Sequence, residues 1–202
     1  MRPIDRLIAG NNRYANAKLQ HPHQSLQRLK EISEAQNPFA VVVSCSDSRV
    51  PPEIIYDQGL GDLFVIRTAG NIIGDYELAS IEYAILKLNC KVVVVTGHET
   101  CGAIKAFMEQ PKDSLSGHLS NLLEFIRSEA NSENILKSRP ETGSDERNYQ
   151  LVIHNIIYGV NLLKEQSTIA REKYDKGELE IYGAIYHMGS GKIQVIEDDV
   201  KK

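Results

Sequence analysis

The sequence predicts an α/β fold: a mainly parallel β-sheet core, four parallel strands plus an antiparallel edge strand, flanked by helices and preceded by an N-terminal helical arm. Three observations carry that expectation. Residues 39–45 and 91–96 are near-continuous apolar runs rich in Val, as strands buried on both faces are. Between them, a shorter strand pattern at 63–67 leads into a helical pattern at 76–88, and the order strand, helix, strand implies parallel pairing with a right-handed crossover. Near the C-terminus, the alternating segment 179–187 reaches residues 193–196 through a turn at Ser190-Gly191, which joins antiparallel neighbours. A chain of 202 residues with 42% hydrophobic content suits one domain, residues 1–202, with a sizeable core.

Taken in order, residues 1–35 form the polar arm. A helix is expected over 5–19, an interruption at Pro22, and a second short helix over 25–35 with Ser25 as N-cap. Such an arm packs on the domain surface or on a neighbouring subunit. After the first buried strand, Pro51-Pro52-Glu53 opens a short helix, because proline is tolerated in a first turn. Gly59-Leu60-Gly61-Asp62 turns the chain into the second strand. In the helix that follows, Leu78, Ile81, Ile85 and Leu88 recur at helical spacing. A helix begins at Gly102. Residues 109–148 are a polar surface excursion, helical near 119–126 and a loop over 138–147. Helices follow over 149–163 and 169–175, and Lys176-Gly177 turns the chain into the fourth strand.

Composition excludes several classes. A net charge of -4 gives no reason to expect a nucleic-acid partner. No apolar run approaches the roughly 18 residues of a membrane-spanning helix, and the N-terminus lacks a signal peptide's apolar core. Three cysteines, an odd count, argue against a disulfide framework. A cytoplasmic protein with reduced thiols is the expectation, or a periplasmic one if an export signal has been removed.

Two stretches just past strand ends carry the chemistry. Ser44-Cys45-Ser46-Asp47-Ser48-Arg49-Val50-Pro51 follows the first buried strand, and Thr96-Gly97-His98-Glu99-Thr100-Cys101-Gly102 the third. Sites in open parallel sheets lie beyond the C-terminal strand ends. Taken singly, each residue has a plainer reading: Cys45 as a core thiol, His98 as an ordinary polar residue, Asp47 and Arg49 as a surface ion pair, Gly97 and Gly102 as turn formers. Together, Cys45, His98 and Cys101 offer the sulfur and nitrogen ligands that zinc takes in a tetrahedral shell. The lack of an obvious fourth Cys or His matches a catalytic site, which keeps one position open. Cys101, at a helix start, is placed to be held as thiolate. Asp47 and Arg49, two apart, would face the same way in extended chain. They suit either a hydrogen-bonded pair beside the metal or a fourth ligand from Asp47. Cys90 is the rival thiol, but the strand between it and His98 spans roughly 26 Å at about 3.3 Å per residue, so it belongs at the far end of the sheet. His21, His23, His118, His154 and His187 show no ligand pattern. Gly59-Leu60-Gly61 precedes a strand rather than following one, so it is no dinucleotide fingerprint.

At these residues the chain resembles the β-class carbonic anhydrases. The resemblance rests on Cys45-Ser46-Asp47-Ser48-Arg49-Val50-Pro51 and Gly97-His98-Glu99-Thr100-Cys101-Gly102. It extends through Gly61-Asp62-Leu63-Phe64-Val65-Ile66-Arg67-Thr68-Ala69-Gly70-Asn71 and Ser80-Ile81-Glu82-Tyr83-Ala84. It implies a zinc enzyme, with one Zn2+ per chain, that interconverts carbon dioxide and bicarbonate by hydroxide formed on the metal. Cys45, His98 and Cys101 match the family's zinc ligands, and Asp47 and Arg49 its catalytic dyad. In a closed state Asp47 would itself ligate the metal. Gln36, Phe64 and Tyr83 match substrate-pocket positions, and Gly102 joins that set. The family assembles as a dimer, with the arm reaching over the partner, and its dimers often pair into tetramers. One position departs. Val42 stands where some bacterial members carry a tryptophan that belongs to a bicarbonate inhibitory pocket. Rival readings are a carbon disulfide or carbonyl sulfide hydrolase on the same scaffold and a non-catalytic zinc or bicarbonate-binding protein. The last could lose the Asp-Arg pair that this chain keeps.

Overall fold

The computed structural model describes residues 1–109, 117–128 and 144–196. Five strands form one sheet: β1 (Ala40–Cys45), β2 (Leu63–Thr68), β3 (Val92–His98), β4 (Glu180–Tyr186) and β5 (Ile193–Ile196), in the order β2-β1-β3-β4-β5. The first four run parallel, and β5 pairs antiparallel with β4. The architecture is the one expected. Every residue of β1 and β3 is buried, which explains their unbroken apolar runs.

The helices are α1 (Pro3–Ala15), α2 (Leu26–Glu31), α3 (Pro52–Ile55), α4 (Asp75–Lys87), α5 (Gly102–Glu109), α6 (His118–Ser128), α7 (Ser144–Gln166) and α8 (Thr168–Asp175). Ser25 caps α2 as expected, its side chain accepting the Arg28 amide hydrogen. The two parts of the arm behave differently. Ile4 and Leu7 of α1 are buried in the main core, whereas α2 buries no residue. Asp57 ties the intervening segment down by accepting from Arg13 Nε and from the amides of Gln20 and His21. Burial alone would raise the Asp57 pKa. The guanidinium of Arg13 and the two amides outweigh that and hold it below the usual range.

Several boundaries differ from expectation. Both arm helices end four residues early, at Ala15 rather than 19 and at Glu31 rather than 35. The third strand runs on through Gly97 to His98, because Gly97 and His98 pair with Ile185 and Tyr186 of β4. The loop expected over 138–147 is in part helix: α7 already begins at Ser144, and residues 138–143 lie outside the described residues. Gly97 has a packing reason. A Cβ there would come within 2.7 Å of Ile156 Cδ1, so a larger residue would force Ile156 of α7 to shift away from β3.

The topology positions the site. From β1 the chain moves outward to β2; from β3 it moves the other way to β4. The crevice beyond the carboxyl ends of β1 and β3 is therefore the switch point of the sheet. No helix among the described residues is long and apolar enough to cross a membrane.

Candidate metal centre

β1 and β3 are direct neighbours, with Ser44 opposite Thr96. Cys45 is the last residue of β1 and His98 the last of β3, so both sit at the carboxyl end of the sheet. Thr100 then takes φ 55, a left-handed conformation that turns the chain sharply, and Cys101 sits immediately before α5. The result is a cluster of Cys45, His98 and Cys101, all buried, whose ligand atoms lie within 4.8 Å of one another.

The donor set fits zinc on three counts. The sulfurs are 4.0 Å apart. A tetrahedral shell with Zn–S near 2.3 Å places them about 3.8 Å apart. His98 Nδ1 lies 2.9 Å from the Glu99 carbonyl oxygen. That oxygen can only accept, so Nδ1 carries the proton and Nε2 presents a lone pair. Nε2 is itself buried without a hydrogen-bond partner, an orphan that a metal would satisfy.

Electrostatics favour charge on this cluster. The Cys45 pKa is lowered, chiefly because the Cys101 thiol donates to its thiolate, with the neighbouring His98 imidazole and then the amides of Gly70 and Asp47 adding to the effect against the cost of burial. The Cys101 pKa is raised for the complementary reasons: it donates to Cys45 and it is buried. The pair thus releases one proton readily and holds the second until a cation takes its place. The amides of Ala103 and Ile104, at the start of α5, act on Cys101 in the opposite sense and favour its thiolate.

Asp47 and Arg49 are paired as expected. Arg49 donates from Nε to Asp47 Oδ1 at 2.9 Å and from Nη2 to Oδ2 at 2.7 Å, and its amide donates to Oδ1 at 2.9 Å. This grip holds the Asp47 carboxyl well below the usual carboxylate range. Asp47 Oδ2 stands 3.8 Å from His98 Nε2, so the carboxylate borders the ligand cluster. In this arrangement both oxygens are engaged by Arg49.

The proposed substrate residues are distributed differently. Gly102 is exposed beside Cys101. Phe64 and Tyr83 lie together, with ring centroids 6.3 Å apart. Phe64, however, pairs with Val41 near the start of β1, about 13 Å along the strand from Cys45. Gln36 is exposed ahead of β1. One chain does not bring these three to its own metal cluster. Cys90 lies at the opposite end of β3, as the strand length requires, buried and donating to the Pro38 carbonyl.

Several supporting residues escaped the sequence reading. Arg67 donates to the carbonyls of Cys45 and Asp47, at 3.0 and 2.6 Å, and so shapes the loop between them. Glu99 accepts from the Met188 amide and pairs with His187 Nδ1 at 2.7 Å, which anchors the backbone next to His98. Arg67 lay within a stretch already singled out, and its position two residues before the Ala69-Gly70 turn was the available signal. The Glu99–His187 contact spans two distant strand ends and left no local signal.

A family model described as carbonic anhydrase matches residues 40–193. "Carbonic anhydrase 2" of Mycobacterium tuberculosis is 35% identical over 196 residues, covering 96% of this chain and 91% of the relative. A carbonic anhydrase of Mycolicibacterium smegmatis is 36% identical over 190 residues, covering 92% of this chain and 88% of the relative. Among solved structures, the β-carbonic anhydrase CcaA superposes with a TM-score of 0.78 at 27% identity, covering 98% of this chain and 97% of that one. A structure of the tetrameric β-carbonic anhydrases from Sordaria macrospora superposes with a TM-score of 0.76 at 26% identity, covering 96% of each chain.

Proposed function

The chain belongs to the β-class carbonic anhydrase family, and from that premise we propose how its own residues carry out the reversible hydration of carbon dioxide to bicarbonate and a proton. Cys45, His98 and Cys101 hold one zinc ion. The observation that carries this assignment is the buried, unpartnered Nε2 of His98, facing two thiols 4.0 Å apart. When bound, zinc supplies a Lewis acid that makes water acidic enough to serve as a nucleophile near neutral pH.

The remaining work falls to the protein. Asp47 Oδ2 accepts a hydrogen bond from the attacking oxygen and aims its lone pair at the carbon of carbon dioxide. Arg49 keeps Asp47 ionised and holds it in place. Asp47 would have to leave Arg49 to become a metal ligand, so the paired dyad supports an open fourth position. The proton released in the reaction passes to solvent or buffer.

Gln36, Phe64 and Tyr83 serve the pocket of a second copy in a homodimer, with dimers able to pair into tetramers. Two features support this: their distance from the cluster of their own chain, and the exposure of Tyr83 and Leu86 on α4 and of Leu26 and Leu29 on α2. Residues 1–202 act as one domain, with residues 1–35 as the arm that crosses to the partner. A reducing cytoplasm fits the need to keep Cys45 and Cys101 as thiols.

The test is direct. Purified protein should carry about one zinc per chain and hydrate carbon dioxide in a stopped-flow assay. Full activity after complete removal of zinc would overturn the assignment.

A further inference from the structure

Cys45 receives a hydrogen bond from outside its own loop. After Thr68 the chain makes a 3-10 turn, Ala69–Asn71, in which Gly70 takes φ 71 and Asn71 takes φ 48. Glycine and asparagine are the residues that adopt this left-handed conformation most readily. The turn faces the metal cluster, and the Gly70 amide donates to Cys45 Sγ at 3.4 Å. The Gly70 carbonyl accepts from Asn155 Nδ2 at 2.7 Å. Asn155 lies on α7 and is only 3% exposed. An amide this buried in a helix interior is unfavourable unless its donor is used, and its donor is aimed at the turn.

We propose that Asn155 is a positioning residue of the metal centre, clamping the Gly70 carbonyl so that the Gly70 N–H is held against Cys45 Sγ. The Gly70 N–H and C=O belong to two peptide groups joined at its Cα by φ 71 and ψ 18, the two torsions that glycine restrains least. Anchoring the carbonyl on α7 restrains the turn from one side, so that the N–H on the other side is held in the direction that meets Cys45 Sγ. That N–H occupies one of the three lone pairs of the Cys45 thiolate and restricts rotation of its side chain, so that another stays directed at the space between Cys101 and His98. Partners of this kind orient metal ligands, and their loss weakens metal binding by about 10–100-fold. The proposal rests on Cys45 being a zinc ligand.

The test uses the full-length protein loaded with cadmium-113 or zinc. In wild-type protein carrying cadmium-113, the Gly70 amide proton should show scalar coupling to the metal through the hydrogen bond to Cys45 Sγ. Asn155→Asp and Asn155→Leu should lose that coupling, and both should release zinc to a chelator about 10–100-fold faster than wild type. Two results would overturn the proposal while leaving the ligand assignment intact. One is wild-type protein whose Cys45 binds cadmium with no coupling to the Gly70 amide, a result that needs no variant to fold. The other is a pair of variants that lose melting temperature equally with and without zinc and release zinc at the wild-type rate. Wild-type protein in which cadmium does not bind Cys45 at all would overturn both.

Discussion

The two ends of the central sheet place the same kind of side chain in opposite surroundings. At the carboxyl ends of β1 and β3, Cys45 and Cys101 face each other, with His98 beside them. At the amino end of β3, Cys90 is equally buried, with the Pro38 carbonyl accepting from its thiol. Burial alone pushes the Cys90 pKa up to about 11. The Cys45 pKa moves down although burial opposes it there too, because a thiol, an imidazole and two amides converge on its sulfur. Burial alone therefore does not decide whether a cysteine is an inert core residue or a ligand; the groups brought around it do. The parallel topology supplies that difference, since the loops that leave the carboxyl ends at the switch point are free to converge.

The contrast breaks most visibly at the metal end. Cys101→Ser should bind zinc far more weakly, by more than the ~100-fold that loss of an outer partner costs, and its carbon dioxide hydration should fall to background. Metal analysis together with stopped-flow hydration checks both. Asp47→Ala should keep its zinc yet lose about 10²–10⁴-fold in turnover near neutral pH, the usual range for a proton-handling group. A variant with normal turnover would remove Asp47 from the reaction.

The arm separates stability from chemistry. Asp57→Ala removes the acceptor for Arg13, Gln20 and His21 and should destabilise the fold by about 2 kcal/mol, read by denaturant unfolding, with unchanged zinc per chain. The pH dependence has a defined sign. The folded pKa of Asp57 is depressed, so its contribution is complete above the ordinary aspartate value of about 4. It is lost as pH falls through the lower folded value, and in Asp57→Ala that part of the acid destabilisation should disappear. The smallest effect belongs to the opposite end of the sheet. Cys90→Ala should cost about 1 kcal/mol for a lost buried sulfur and hydrogen bond and leave zinc content and activity as they were. A loss of zinc there would erase the distinction between the two ends.

How much of this could be read beforehand depended on range along the chain. The buried runs of β1 and β3, the Ser25 cap and the antiparallel last strand are local patterns, and they were legible. So was the dismissal of Cys90, which needs only the rise of a strand. The extension of β3 to His98 was not, because it depends on pairing with Ile185 and Tyr186, far away in the chain. The start of α7 was missed because Ser144 to Arg147 are polar residues that read as loop. Cys45, His98, Cys101 and the Asp47–Arg49 pair stand in short motifs. The residues that brace them do not. Glu99 meets His187 across 88 positions, and Asn155 meets Gly70 across 85. A polar residue in a long helix gives no local sign that it points inward. Gln36, Phe64 and Tyr83 mark a different limit: one chain keeps them away from its own cluster.

The central claim, that Cys45, His98 and Cys101 hold a zinc ion with one position left open, is tested most directly by X-ray absorption at the zinc edge on purified protein near neutral pH. The account predicts two sulfur neighbours at about 2.3 Å and two nitrogen or oxygen neighbours at about 2.0–2.1 Å, with one sulfur lost in Cys45→Ser and none lost in Cys90→Ala. A shell of three or more sulfurs, a shell with none, or a sulfur count that falls in Cys90→Ala would contradict it.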